Sequence, residues 1–234
     1  MSSASGQIIQ RILSGPARKV WTANSFVDIA SRDATDKALQ RAAADGKIRR
    51  VDRGLYDVPR TNSLTGKPSP PDHMAVIDAV SRRDGARVLV DGITAANSLG
   101  LTNAVPAHVT VLTDGRIRPI ALGSLTITFK HAAPSKLVWS GHPAANVVQA
   151  LTWLRDILQT DGSDRAFSTL RNILADPDHG QAIRDDLSHN LASLPSWMVP
   201  SVKNLLAATA PRPSDDIHDG DVASRPLFRG KEAS

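Results

Sequence analysis

The chain contains no cysteine, which excludes disulfide bonds, thiolate metal ligands and a thiol nucleophile. Glutamate is nearly absent too: 22 of the 23 acidic residues are aspartate, and the single glutamate, Glu232, lies close to the C-terminus. No apolar run reaches the roughly 18 residues of a membrane span. Residues 1–15 also lack the basic and apolar blocks of a signal peptide. These absences favour a cytoplasmic protein with no membrane partner.

Signatures of common catalytic and cofactor sites are missing as well. The sequence has no phosphate-binding loop, no glycine-rich dinucleotide motif and no Ser-x-x-Lys motif. Ser140-Gly141-His142 lacks the context of a nucleophile elbow, and Asp185 and Asp186 diverge by about 100° on a predicted helix. We therefore predict that the protein is not an enzyme and holds no metal and no cofactor. No metal-ligand spacing relates four of the histidines to one another: His131, His142, His179 and His189.

What the sequence does have is a basic N-terminal quarter. Residues 1–67 hold 12 Lys and Arg against 6 Asp, whereas residues 68–234 hold 16 Lys and Arg against 17 acidic residues. The net charges of the two parts are therefore +6 and −1. A basic unit on a nearly neutral body is typical of a nucleic-acid-binding module. The alternative is an ordinary solvated surface rich in lysine and arginine.

Residues 1–60 show the element order of a winged helix-turn-helix DNA-binding domain. Apolar residues recur at helical spacing in three successive segments, and two short strand patterns follow them. The turn between the strands carries Asp52-Arg53-Gly54. The predicted helices cover residues 7–13, a short segment capped by Thr22, and residues 34–44 capped by Asp33; the predicted strands cover residues 47–51 and 55–58.

The rest of the chain predicts a mixed α/β (α+β) fold. Residues 61–71 are rich in proline and read as a linker, and residues 210–234 have the composition of a disordered tail. Residues 72–209 form the predicted C-terminal domain, whose last part is helical. Its predicted helices cover residues 72–83, 93–99, 144–158, 164–174, 181–194 and 200–209, and its strands cover residues 87–90, 108–112, 118–121 and 125–131.

The helix at residues 34–44 has a face suited to the DNA major groove. With Leu39 directed into the core, helical geometry puts Thr35, Ala42 and Ala43 on the same side. Long polar side chains then lie opposite or at the flank, where Gln pairs with adenine and Arg or Lys with guanine. The basic hairpin adds phosphate contacts, with Arg53 at its tip. The predicted DNA-binding residues are Arg32, Lys37, Gln40, Arg41, Lys47, Arg49, Arg50 and Arg53.

Four motifs in a fixed order are similar to those of one known family. Residues 46–60 read G-K-I-R-R-V-D-R-G-L-Y-D-V-P-R, similar to the pattern G-x-I-x-R-V-x-R-G-x-Y-x-x-P-R. A small-residue helix at residues 95–102 is followed by Val105-Pro106, and two strand motifs lie at residues 112–115 and 130–134. Together they resemble the AbiEi-type abortive-infection antitoxins over about residues 7–160. Asp91-Gly92-Ile93 departs from the Ser-Gly-Ala-like sequence expected before the small-residue helix.

The resemblance implies a type IV toxin–antitoxin system. The winged helix would repress its own operon by binding double-stranded operator DNA with inverted repeats, and residues 72–209 would carry the antitoxin activity. The partner would be a nucleotidyltransferase-like toxin, counteracted with or without direct contact. Two other functions stay open: a transcription regulator with a ligand-sensing C-terminal domain, and a DNA-acting enzyme, which the lack of an acidic metal cluster disfavours.

Overall fold

The computed structural model describes residues 3–63, 65–104, 108–156 and 163–209. Within these ranges the chain forms eight α-helices and two small sheets, so the predicted mixed α/β class is confirmed. None of the described helices has the length and apolar character needed to cross a bilayer. The predicted tail at residues 210–234 lies outside the described residues.

The N-terminal part folds as two helices, a 3-10 turn and a hairpin around their own core. Phe26 and Leu39 are fully buried there, together with Ile8 of the first helix. The predicted cap Asp33 is wrong, because the Ser31 hydroxyl accepts the hydrogen bond from the Ala34 N–H and the helix begins earlier. The elements are α1 (Ala4–Leu13), the 3-10 helix Ala23–Phe26, α2 (Arg32–Ala44), β1 (Arg49–Asp52) and β2 (Leu55–Asp57).

The hairpin β1–β2 separates two hydrophobic cores. On one face, Ile48 and Tyr56 pack with α1 and α2, whereas Leu55 packs with the body of the protein. Trp21 pairs with Tyr56 through two backbone hydrogen bonds of 2.7 and 3.0 Å, which places β2 between β1 and the Trp21 segment. Because alternate residues of a strand point to opposite faces, one hairpin serves both cores. Val20, next to Trp21, packs into the body core.

The predicted linker at residues 61–71 makes hydrogen bonds to itself. The Asn62 N–H donates to the Lys67 carbonyl at 2.8 Å, and Thr61 pairs with Pro68 as an isolated bridge. Asp72 then caps α3 (His73–Asp84), accepting from the N–H groups of the second and third helical residues. The division of the chain into residues 1–60, 61–71 and 72–209 stays a prediction.

The next elements are β3 (Val88–Val90), α4 (Gly92–Ser98), β4 (His108–Thr113), β5 (Ile120–Leu122), β6 (Leu125–His131), the 3-10 helix Pro134–Leu137 and α5 (Ala145–Trp153). Their strands form the second sheet, in the order β3-β4-β6-β5. Its central pair, β4 and β6, is parallel, and both edge strands are antiparallel to their neighbours. Helices α3 and α5 contribute to the core beside it, and buried residues such as Val111 and Ile127 face that core.

The last part is helical, as expected, but two predicted helices are shorter. The helix predicted over residues 144–158 ends at Trp153, and residues 157–162 lie outside the described residues. The helix predicted over residues 181–194 ends at His189, because Asn190 leaves the helical conformation and its amide bonds back to Asp186. The elements are α6 (Ser163–Leu174), α7 (Gly180–His189), the 3-10 helix Leu191–Ser193 and α8 (Val199–Thr209).

Candidate nucleic-acid interface

The predicted inward face of α2 is confirmed. Leu39 is fully buried, and Thr35 and Ala42 are buried beside it, while Ala43 is half-buried. Ala38 is also buried, so it packs in the core and does not face a ligand. Helix α2 therefore turns its small residues toward α1 and the hairpin, and its long side chains toward solvent.

The outer face of α2 carries Lys37, Gln40 and Arg41, which are exposed and fall within five residues on one side of the helix. The exposed Asp33 lies one turn before Lys37 on the same face. The Arg41 Nε donates to the Lys37 carbonyl at 3.3 Å. Among the described residues, the side chains of Lys37 and Gln40 have no hydrogen-bond partner. These two side chains are therefore free to bind a ligand without breaking an internal contact.

Two further predicted residues make exposed side-chain contacts. Arg32 donates to Asp36 at 3.1 Å and to Asn24 at 3.0 Å, and Lys47 lies 3.2 Å from Asp45. The side chains of both cations are more than half exposed. Exposed pairs of this kind contribute little, about 0–1 kcal/mol. A phosphate group could therefore compete with the carboxylates for both residues.

Arg49 has a different environment from the other predicted residues. Its Nε and Nη2 bond the two carboxylate oxygens of Asp57 at 2.9 and 2.5 Å, and its Nη1 donates to the Ser69 carbonyl at 2.8 Å. Asp57 is buried, so this is a bidentate pair largely removed from water. All three guanidinium nitrogens therefore already have partners within the protein. These contacts give Arg49 a structural role in the hairpin.

Arg50 and Arg53 are the exposed cations of the hairpin. Gly54 at φ +71° completes the turn that holds Arg53 at the tip. Burial raises the pKa of Tyr56, and the charges of Arg50 and Asp36 act on the same phenol in opposite directions. Arg50 is the cross-strand partner of Tyr56, and the side chains of such a pair lie on the same face of the hairpin. Tyr56 packs in the core formed with α1 and α2, so Arg50 lies on the side of the hairpin that faces α2.

Arg83 is a residue of this region that the sequence did not indicate. It lies in the last turn of α3, and its Nη1 donates to the Arg53 carbonyl at 2.7 Å. It also makes a bidentate pair with Asp84, which raises the pKa of the arginine. No local sequence signal could have found this contact, because the two residues are 30 positions apart.

A cavity in the body is a second place where a ligand could bind. It lies between α3, β3 and α5 and has a volume of about 610 Å³. His142 at its wall has its Nδ1 2.7 Å from Asp186, which also accepts from the Ala144 N–H. The Ser140 hydroxyl bonds both the N–H and the carbonyl of Val88, so it protects the edge of β3 and is not a free nucleophile.

One cluster of metal-ligating residue types occurs in the described part of the chain. Asp176, Asp178 and His179 lie in the turn between α6 and α7. The Asp176 carboxylate accepts from the N–H groups of the other two residues, and its pKa is lowered by these bonds, first of all the one from His179. The side chains of Asp176 and His179 are exposed, and the turn explains their arrangement.

The sequence profile of a protein family matches residues 7–181, which is about three quarters of the chain. That family is described as a family of unknown function (DUF6088), and the chain belongs to it. Comparison with curated proteins and with solved structures gave no significant match. The family description names no activity, so a functional assignment depends on the geometry of the chain.

Proposed function

We propose that this member of the DUF6088 family is a cytoplasmic antitoxin and autorepressor that binds operator DNA through an N-terminal winged helix-turn-helix. The observation that carries the DNA-binding part is the outer face of α2. There, Lys37, Gln40 and Arg41 are exposed, and the hairpin β1–β2 adds the exposed cations Arg50 and Arg53.

The chain order supports a winged helix. Helix α1 is followed by the extended residue Trp21, a short 3-10 helix, α2 and the hairpin β1–β2. Trp21 pairs with β2, so three extended segments lie side by side next to the helices. In this arrangement α2 is the recognition helix, and the turn at Arg53 is the wing.

The chemistry of the two elements divides the work of binding. Gln40 and Arg41 suit base edges in the major groove, where an amide reads adenine and a guanidinium reads guanine. Arg50 and Arg53 suit phosphates, which supply affinity and register but no sequence information. Arg32 and Lys47 add phosphate contacts at the two ends of α2, and Arg49 is left out of the interface.

The test of DNA binding uses a duplex from directly upstream of the protein's own gene and a mixed-sequence duplex of equal length. The variant is Arg41→Ala, and its control is Arg171→Ala on α6, where Nε donates to a carbonyl four residues back at 3.3 Å as it does in Arg41. We expect only Arg41→Ala to reduce the preference for the upstream duplex, at a cost of about 1–3 kcal/mol. Equal behaviour of the two variants would contradict the proposed recognition helix.

The antitoxin part of the proposal is supported by the resemblance of the sequence motifs. We assign it to residues 72–209, and the partner is a nucleotidyltransferase-like toxin encoded beside this gene, whether or not the two proteins touch. We also propose that the operator DNA contains inverted repeats. The test is co-expression with the neighbouring gene: the toxin alone should arrest growth, and the full chain should restore it. Growth arrest that the full chain leaves unchanged would contradict the antitoxin assignment.

The second candidate function is a transcription regulator with a ligand-sensing body. The observation that favours it is the cavity of about 610 Å³ lined by polar residues such as His142, Asn146 and Asp78, a size that suits a small ligand. The co-expression experiment separates the two candidates, because a pure regulator binds the upstream DNA but gives no protection. Protection by the full chain decides for the antitoxin.

A further inference from the structure

The tip of the hairpin is tied to the body by one side chain. Arg83, in the last turn of α3, donates from Nη1 to the Arg53 carbonyl at 2.7 Å and lies 3.9 Å from the Asp52 carboxylate. Its Cδ also lies 3.7 Å from the position that a Cβ atom on residue 54 would occupy. All three residues of the turn are therefore within reach of Arg83.

Arg83 is itself fixed in place. Its Nε and Nη2 bond the two oxygens of Asp84 at 2.7 Å each, and its side chain is only 19% exposed. Helix α3 is anchored below it by Val76, Ile77 and Val80, which are buried in the body core. A guanidinium held in this way is a rigid support and has little surface left for a phosphate.

Packing in the two cores orders β2, whereas Arg53 at the turn is exposed. Ordering a flexible segment during binding costs conformational entropy, so a turn that is already held binds more tightly. From the Arg83–Arg53 contact we infer that Arg83 is a positioning residue for DNA binding, which holds the turn so that Arg53 meets a phosphate. This inference rests on the proposed DNA-binding function.

With Arg83 in this role, the body of the protein contributes to DNA binding. The turn belongs to the N-terminal part, but its support comes from α3. Displacement of the last turn of α3 would release the Arg53 carbonyl. Ser81 and Gly85 of the same region line the cavity described above, on the side where its wall meets α3.

The test compares Arg83→Gln with Arg82→Gln in the full-length protein. Arg82 is the neighbouring arginine and is exposed, so its replacement removes the same charge without touching the turn. The first readout is the backbone order parameter of Gly54 by nuclear magnetic resonance, without DNA. We expect it to fall from a rigid value of about 0.85 to below about 0.6 in Arg83→Gln only. An unchanged order parameter would overturn the inference.

The second readout is a double-mutant cycle with Arg53→Ala, measured by binding to the upstream duplex. Arg83→Gln should weaken binding by about two- to tenfold and lower the salt slope by about one in the parent chain, but do neither in the Arg53→Ala background. Additive losses would show that Arg83 does not act through Arg53. Should Arg83→Gln be unfolded, Arg83→Lys replaces it, since lysine keeps the positive charge and one donor nitrogen but loses the bidentate geometry.

Failure of the proposed function and failure of the positioning role give different results in these measurements. If the unaltered protein does not bind DNA, the proposed function fails, and the order parameter still reports whether Arg83 holds the turn. If the protein binds DNA and Arg53→Ala weakens it while Arg83→Gln does not, only the positioning role is overturned.

Discussion

The two faces of the hairpin β1–β2 use neighbouring arginines for opposite purposes. Arg49 is held by the buried Asp57 and by the Ser69 carbonyl, whereas Arg50, one residue later, is exposed on the side that faces α2. Successive strand residues point to opposite faces, so the strand geometry alone separates them. A basic stretch in a sequence is therefore not a uniform binding surface: one cation can support the structure while the next remains free for a ligand.

The largest expected effect comes from breaking the buried pair. Arg49→Ala leaves the Asp57 carboxylate without its partner in a site where the side chain is 7% exposed. Removing one member of a buried pair typically lowers the free energy of unfolding by about 3–5 kcal/mol. Arg50→Ala, an exposed change, should cost about 0.5 kcal/mol or less. Urea unfolding of both variants measures the difference, and equal losses would remove the contrast between the two faces.

The second prediction concerns a fragment that lacks the hairpin altogether. Residues 72–209, which the linker composition predicts to be separable, should fold as a fragment and lose DNA binding. We expect a lower free energy of unfolding than in the full chain, because Val20 and Leu55 are then missing from the body core. Burying one such side chain contributes about 1.5–3 kcal/mol.

Circular dichroism and urea unfolding measure the stability of this fragment. The antitoxin proposal adds that the folded fragment still protects cells that express the neighbouring toxin. A folded fragment that fails to protect, beside a full chain that does, would mean that DNA binding is itself the protective activity.

The third prediction concerns DNA binding by the exposed face. Arg50→Ala and Arg53→Ala should each weaken binding to every duplex and lower the salt slope by about one, because each removes one phosphate contact. The unaltered protein should lose affinity steeply as salt rises. Titrations at several salt concentrations measure both slopes, and a flat response of the unaltered protein would argue against a phosphate-binding surface.

The smallest effect is expected from an exposed pair in the same N-terminal part. Arg11 bonds both oxygens of Asp28, and this hydrogen-bonded contact holds the pKa of the carboxyl below its ordinary value of 3.8. A depressed folded pKa stabilises the protein above the unfolded pKa, and the contribution is lost as pH falls through the folded pKa.

Asp28→Asn should therefore remove a small contribution to stability at neutral pH and make the acid limb of the stability curve slightly shallower below about pH 4. Urea unfolding between about pH 2 and pH 7 measures both parts. A loss at neutral pH as large as that of Arg49→Ala would show that exposure does not distinguish the two pairs.

The sequence by itself determined the local elements. Helical spacing around Leu39 gave the buried face of α2, and Gly54 between two strand patterns marked the hairpin turn. These predictions succeeded because periodicity, caps and turn residues act within a few positions of the chain. The cap of α2 was misplaced by two residues, since Ser31 and Asp33 are both good caps and only the backbone path chooses between them.

Only the tertiary structure decided how each arginine is used. The sequence does not distinguish Arg32, Arg49, Arg50 and Arg53. In the structure, Arg49 bonds Asp57 on the opposite strand of the hairpin and the Ser69 carbonyl in the segment that follows. Arg83 reaches the hairpin tip from a helix 30 residues away. Charge and composition identify which residues can bind an anion. Whether a given side chain is free to do so depends on partners that are distant in sequence, and these become neighbours only when the two cores close on either side of the hairpin.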